Sequence, residues 1–131
     1  MFSITRTPDF YIVEFSHEIT LTTLLGALHD LMARPDYTST DVWILDRPIY
    51  LGFSDFDMII KEIQRTYPAG ATRRKTALVA NSGYNQALAD LWVRGSWNLP
   101  YESRVFTNLE KAREWICEHP DVICTRRASA Q

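Results

Sequence analysis

The sequence predicts a single α/β domain in which helices cover both faces of a mixed five-stranded sheet. Two short apolar runs, residues 42–45 and 76–80, are typical of strands that are buried on both faces. Each run is followed by apolar residues at helical spacing, which indicates parallel strands joined by helical crossovers. The predicted order of elements is β-β-α-β-α-β-α-β-α, with no internal repeat and no second domain.

The first two strands are predicted to form an antiparallel hairpin. Apolar and polar residues alternate over residues 2–5 and, in part, over 11–16, as in strands with one face on the core. Between them, the Thr-Pro-Asp segment at 7–9 has the composition of a turn. Because this hairpin would leave one edge of the sheet available for pairing, we expect a homodimer to form there.

The first helix is predicted to begin after Thr20 and to end near Arg34. The Thr20 hydroxyl can accept a hydrogen bond from an amide of the first turn, and Pro35 disfavours helical geometry in the residue before it. The apolar residues on one face of this helix are Leu21, Leu24, Leu25, Leu28, Leu31 and Met32. Residues 36–41 are predicted to be a polar loop, and the strand at 42–45 should be the central one.

Two further helices follow the two apolar strands. Ser54 is predicted to cap the second helix, which ends before the Pro-Ala-Gly segment at 68–70, and residues 81–83 open the third. The inner face of the second helix is predicted to carry Phe56, Ile59, Ile60, Ile63 and Tyr67, and that of the third Tyr84, Ala87, Leu88, Leu91 and Trp92.

The last strand is predicted at residues 104–106, and a short helix closes the domain. Thr107 and Glu110 have the spacing of a capping box for this helix. The final residues are small, polar and basic, so we predict a domain over residues 1–118 and a solvated tail over 119–131.

Composition excludes several classes of protein. The net charge of −2 provides no global positive field for nucleic acid, so no nucleic-acid partner is expected. The sequence contains no signal-peptide pattern and no apolar run of membrane-spanning length, which predicts a cytoplasmic protein without integral membrane association. Cys117 and Cys124 are predicted to be reduced. No metal-ligand spacing is present, and no metal or cofactor is expected.

Four segments carry a resemblance to a known family. They are Thr-Leu-Thr-Thr-Leu-Leu at 20–25, Val-Trp-Ile-Leu-Asp at 42–46, Lys-Thr-Ala-Leu-Val-Ala at 75–80 and the closing segment at 104–116. Together they resemble the STAS or SpoIIAA-like superfamily, a group of bacterial α/β domains with anti-sigma-factor antagonists and an uncharacterised branch. The resemblance covers roughly residues 9–117, and it implies a three-layer STAS/SpoIIAA-like fold.

The resemblance also implies a candidate phosphorylation site. In the antagonist branch, a serine at the start of the helix after the Asp-ended strand is phosphorylated, which switches binding to a partner protein. Ser54 matches that position, although the sequence here, Gly-Phe-Ser-Asp-Phe at 52–56, departs from the Asp-Ser-x-Gly turn of that branch. The alternative interpretation is that Ser54 only caps the second helix.

Polar residues that follow the parallel strands provide a candidate binding edge. In parallel α/β sheets, ligands usually bind at the carboxyl ends of the strands. The candidates for ligand or partner binding at this edge are Asp46, Arg47, Ser54, Asn81 and Ser82, with Thr107 and Asn108 beside them. Because most of these residues can also cap helices or bond to loop amides, a purely structural role is the alternative. No catalytic residue is assigned.

Three functions stay open at this stage. A non-enzymatic interaction or regulatory module is favoured because no catalytic set is visible. A small-ligand or lipid carrier is the alternative, since relatives in the superfamily resemble lipid-binding α/β domains, and it would require an apolar cavity between the helices and the sheet. An enzyme that uses Asp46, Arg47 and Asn81 on a small polar substrate would require a deep polar cleft.

Overall fold

The computed structural model describes residues 1–8, 10–34, 40–66, 75–96, 99 and 102–117, and the structural statements below concern these residues. The strands are β1 (Phe2–Arg6), β2 (Tyr11–Phe15), β3 (Ile19–Thr20), β4 (Asp41–Ile44), β5 (Ile49–Tyr50), β6 (Lys75–Val79) and β7 (Glu102–Phe106). The helices are α1 (Leu21–Met32), α2 (Phe53–Thr66), α3 (Gly83–Gly95) and α4 (Leu109–Cys117).

Five strands form one mixed sheet in the order β1-β2-β4-β6-β7. β1 is antiparallel to β2, and each later neighbour is parallel, which confirms the predicted hairpin and the mixed sheet. The strand predicted to be central, β4, is the third of the five. It begins and ends one residue earlier than predicted, because Asp41 pairs in register with both Tyr11 and Thr76.

The helices divide unequally between the two faces of the sheet. Buried and partly buried residues of α1, α2 and α3 pack in one large apolar core, and those of α4 pack in a smaller core on the other face. The parallel strands are added in one direction across the sheet, so right-handed crossovers bring their three helices to the same face. α4 follows the last strand and covers the opposite face.

A short second ladder was not predicted from the sequence. β3 and β5 pair in parallel, with Ile19 opposite Ile49 and Thr20 opposite Tyr50. Two-residue strands are too short to show an alternating pattern, which explains why they were missed. This ladder places the starts of α1 and α2 side by side at the carboxyl end of the sheet.

Hydrogen bonds at the helix starts confirm the predicted cap of α1, identify the cap of α3 within the predicted opening at residues 81–83, and correct the predicted cap of α4. Thr20 caps α1 in a reciprocal capping box with Thr23, and Ser82 caps α3 by accepting from the amide of Asn85. The capping box predicted for Thr107 and Glu110 is wrong. α4 begins at Leu109, and the Oδ1 of Asn108 accepts from the amide of Lys111 at 2.9 Å, so Asn108 is the cap.

The remaining predictions concern the cysteines, the tail and the membrane. Cys117 is disulfide-bonded, which corrects the prediction that it is reduced, and the chain contains one other cysteine, Cys124. Cys124, the predicted tail over 119–131 and Tyr67 lie outside the described residues. None of the described helices is long and apolar enough to cross a membrane.

Candidate functional site

An open trough lies at the carboxyl ends of β4, β6 and β7, on the face that α4 covers. Its volume is about 350 Å³. Asp46 and Asn81 each follow a strand residue of this face by two positions, after Ile44 and Val79, so strand geometry brings both side chains to the trough. The other lining residues are Ile12, Glu14, Thr107, Asn108 and Leu109.

The charge of this trough argues against a phosphate ligand. Its described lining residues include two carboxylates, Glu14 and Asp46, and no Lys, Arg or His. One of its polar groups, the Oδ1 of Asn108, is already engaged in capping α4. Phosphate and nucleotide sites depend on cationic side chains or several convergent backbone amides, and this trough has an acidic rim instead.

Two other predicted site residues do not line the trough. The Nε of Arg47 donates to the backbone carbonyl of Phe15 at 3.4 Å, and Ser82 is the cap of α3. The structure therefore brings Asp46 and Asn81 together, and separates Arg47 and Ser82 from them. The Asp46 and Arg47 pair that an acid-base mechanism would require is not assembled in one cleft.

Ser54 lies within the first turn of α2 instead of preceding it. The helix begins at Phe53, and the Oδ2 of Asp55 accepts from the amide of Gly52 at 2.8 Å. The prediction that Ser54 caps the helix is therefore wrong. Gly52 is the residue before the helix, and the side chain of Asp55 accepts from its amide, as the third helical residue does in a capping box. Ser54 is exposed, and Met58, one turn later on the same side of the helix, is exposed as well.

Asn85 is a polar residue at this end of the sheet that the sequence analysis missed. It is 5% exposed, and its Nδ2 donates to the carbonyls of Leu45 at 3.0 Å and Arg47 at 2.8 Å. These bonds fix the segment between β4 and β5. The signal was present, because Asn85 precedes Ala89 and Trp92 by four and seven residues and so shares the inner face of α3.

An apolar cavity of about 90 Å³ lies between the sheet and helices α1, α2 and α3. Leu24 and Leu28 of α1 and Ile59 and Ile63 of α2 are among its walls, and an edge-to-face pair of rings, Phe56 and Trp92 with centroids 5.9 Å apart, is another part of the lining. This is the kind of cavity that the carrier hypothesis requires.

In the described part of the chain, two polar side chains line this cavity, Asp41 and Thr76. Asp41 is 2% exposed, and burial raises the pKa of its carboxyl to about 7, although side-chain hydrogen bonds from Thr76 and Trp43 act in the opposite direction. The sequence pattern predicts a polar loop at Asp41, which is wrong. It is instead the first residue of β4, on the same face of the strand as Trp43.

A surface cluster links α1 to α2. Glu62 of α2 contacts His29 of α1 and accepts from the Nε of Arg65 at 3.1 Å. The hydrogen bonds from Arg65 and His29 hold the pKa of the Glu62 carboxyl down at about 2. The cluster joins two helices that line the apolar cavity, and it lies on their exposed side.

These layers, with three helices on one face of a mixed sheet and one on the other, define a SpoIIAA-like α/β domain. No family model and no curated protein matches the chain. Among solved structures, it is similar to an uncharacterised protein from Shewanella loihica PV-4, described as a DUF3478 family member with a SpoIIAA-like fold. The TM-score is 0.55 at 13% sequence identity, over 89% of this chain and 93% of that one. At this identity the likeness establishes the fold alone.

Proposed function

We propose that this chain is a non-enzymatic interaction or regulatory module of the STAS type, which binds a protein partner through the start of α2. The observation that carries the proposal is the exposure of Tyr50, just before α2, and of Ser54 and Met58 in its first turns; these three residues are called here the α2 face. Tyr50 is 64% exposed and Met58 is 52% exposed. Large exposed apolar side chains beside a polar hydroxyl are typical of interaction surfaces.

The α2 face is bordered by charges of both signs, so it suits a partner that combines an apolar contact with polar side chains. Lys61 lies three residues after Met58 and is exposed, so a positive charge continues the face along the helix. A phosphate on Ser54 would add negative charge beside Asp55 and Asp57, and its desolvation cost would oppose an apolar contact between the partner and Met58. We therefore propose Ser54 as the residue whose phosphorylation releases the partner.

A homodimer is proposed through the other end of the sheet. β1 is at the edge of the five-stranded sheet, and its five residues pair with β2 on one side. An edge strand offers a row of backbone amides and carbonyls to a second copy. This contact would leave the α2 face, which adjoins the β3–β5 ladder, available for the partner.

A second candidate function is that of a small-ligand carrier. The apolar cavity beneath α1, α2 and α3 is the specific observation that favours it. The engineered cavity that binds benzene has a volume of about 150 Å³, so the 90 Å³ of this cavity fits a small molecule better than an acyl chain. Asp46 and Asn81, which line the separate trough, are proposed as polar contacts for a partner or ligand at that edge.

The matched tyrosines Tyr50 and Tyr84 provide the test of the proposed docking surface. Tyr84 is 62% exposed on α3, so Tyr84→Ser removes the same chemistry from another surface. After cross-linking in the native host, the tagged wild-type chain and Tyr84→Ser should be recovered with one partner at a fixed ratio. Tyr50→Ser and Ser54→Asp should lose it, and Ser54→Ala should keep it. Recovery of the same partner by Tyr50→Ser at the wild-type level would contradict the proposal.

A further inference from the structure

Among the described residues that line the apolar cavity, one is ionisable, Asp41. Fifteen of these seventeen described residues are apolar, and the other polar one, Thr76, lies directly opposite Asp41 in the parallel ladder. A carboxyl group can accept hydrogen bonds from several donors at once, so a ligand could bind without displacing Thr76 or Trp43. The cavity therefore combines apolar walls with one polar anchoring group at the start of β4.

We propose that this cavity binds a small, uncharged, mostly apolar molecule with a single hydroxyl group, and that the hydroxyl hydrogen bonds to Asp41. This inference rests on the second candidate function, ligand carriage, and names the class of ligand. The polar group of the ligand lies at the β4 end, and its hydrocarbon part lies among the side chains of α1, α2 and α3.

The chemistry of the anchoring group selects a hydroxyl over other polar groups. The pKa of Asp41 near 7 means that the neutral and ionised forms are both populated near neutral pH. A protonated carboxyl donates a hydrogen bond and an ionised one accepts, and a hydroxyl is complementary to both because it is donor and acceptor. A ligand with a permanent charge would carry a large desolvation cost among these apolar walls.

The size of the cavity selects a short ligand. Its 90 Å³ is less than the roughly 150 Å³ that accommodates benzene. Lining residues Leu24, Leu51 and Phe56 are only partly buried, so the cavity borders the protein surface on the side of α1 and α2. 2-Propanol, which is smaller than benzene, is a suitable probe, and 2-chloropropane is its matched control, with similar shape and no hydrogen-bond donor.

The experiment is a titration of the full chain with each probe, followed by two-dimensional NMR. We expect 2-propanol to shift the Trp43 and Trp92 indole signals, and we expect its affinity relative to that of 2-chloropropane to be about fivefold higher in the wild-type chain than in Asp41→Val, the ratio typical of one net hydrogen bond. Asp41→Val keeps a strand-forming side chain of similar size, and it should favour 2-chloropropane because the hydroxyl of 2-propanol is then buried without its partner. Asp41→Asn provides a second folded variant, whose ratio should lie between the two.

Three outcomes separate the hypotheses. A fall in the relative affinity for 2-propanol in Asp41→Val would support the assigned ligand class. The same relative affinity in the wild-type chain and in Asp41→Val would overturn the role of Asp41 and leave the cavity as an apolar ligand site. Absence of any shift with either probe up to the solubility limit of 2-chloropropane would overturn the ligand class and the carrier function together.

Discussion

Asn85 and Arg47 are 38 residues apart in sequence, and the Nδ2 of Asn85 donates to the backbone carbonyl of Arg47 at 2.8 Å. The same amide group also serves the carbonyl of Leu45 at 3.0 Å. The inner face of α3 thereby fixes the segment that leads from β4 to the β3–β5 ladder. Since Tyr50 of the α2 face lies in that ladder, the position of the proposed docking surface depends on a buried side chain of another helix.

Asn85→Ala should destabilise the fold by about 2 to 3 kcal/mol, because it leaves two carbonyl groups without this donor in a buried setting. Chemical denaturation monitored by tryptophan fluorescence measures the change. Asn81→Ala is the matched control, since Asn81 is an exposed asparagine four residues earlier, and it should cost less than about 0.5 kcal/mol. Equal effects of the two substitutions would show that the buried bonds contribute little.

Asp41 should make the protein less stable as the pH rises. Its pKa is 3.8 in the unfolded reference and about 7 in the folded protein, so between these values the folded state binds the additional proton. The contribution of Asp41 to the free energy of unfolding is fully present below pH 3.8. It is lost as the pH rises to about 7, by an amount on the order of 4 kcal/mol. Denaturation midpoints measured at several pH values from about 5 to about 8 test this.

Asp41→Asn should flatten this dependence and should be more stable than the wild-type chain above pH 7, because the amide cannot ionise in the core. Asp46→Asn is the control, since Asp46 is an exposed carboxylate two residues beyond the other end of the same strand. Asp46→Asn should show the same change of stability with pH as the wild-type chain. A wild-type stability that rises between about pH 5 and pH 7, by the linkage relation, would contradict the assigned environment of Asp41.

Glu62 should have the opposite pH dependence in a lower window. Its carboxyl pKa is lowered from 4.5 to about 2 by Arg65 and His29, so its contribution is present above 4.5 and is lost as the pH falls toward 2. Glu62→Gln should lower the melting temperature slightly at neutral pH and should not change it once the pH has fallen to the folded-state pKa of Glu62. A melting-temperature difference from wild type that stays constant down to that pH would exclude the ionic contribution of this cluster.

Ser54→Asp should leave the stability of the isolated chain within about 0.5 kcal/mol of wild type. Ser54 is exposed in the first turn of α2, where an added negative charge interacts favourably with the helix dipole. Thermal unfolding of Ser54→Asp and Ser54→Ala measures this. A large loss of stability in Ser54→Asp would mean that its effect on partner binding reflects unfolding and not a change of the interface.

The parts of the fold that depend on periodicity were predictable. The apolar runs identified β4 and β6 because strands buried on both faces need no polar alternation, and α1 and α2 followed from their apolar stripes. The predicted inner face of α3 is partly wrong, because Tyr84, Ala87 and Leu91 are exposed and the buried residues are Asn85 and Ala89. The prediction of a loop at Asp41 is wrong because a polar residue at a strand boundary has the composition of a loop. Only its pairing across the sheet shows that it belongs to the strand. The β3–β5 ladder was missed because two residues establish no period.

The candidate site was only partly predictable, because the strand ends are known from sequence but the direction of each side chain is not. Alternation along β4 and β6 brings Asp46 and Asn81 to one trough, while Arg47, one residue later, is held by the carbonyl of Phe15. The apolar cavity depends on how three helices pack on the sheet. No local pattern in the sequence encodes that volume.

The most direct test of the central claim is native mass spectrometry of the full chain purified gently from its native host. The interaction-module proposal predicts a complex of this chain with a second protein at a fixed ratio, and loss of that complex when Ser54 carries a phosphate. A chain that is recovered from every growth condition only as a monomer or as copies of itself, with or without phosphate, would contradict the proposal.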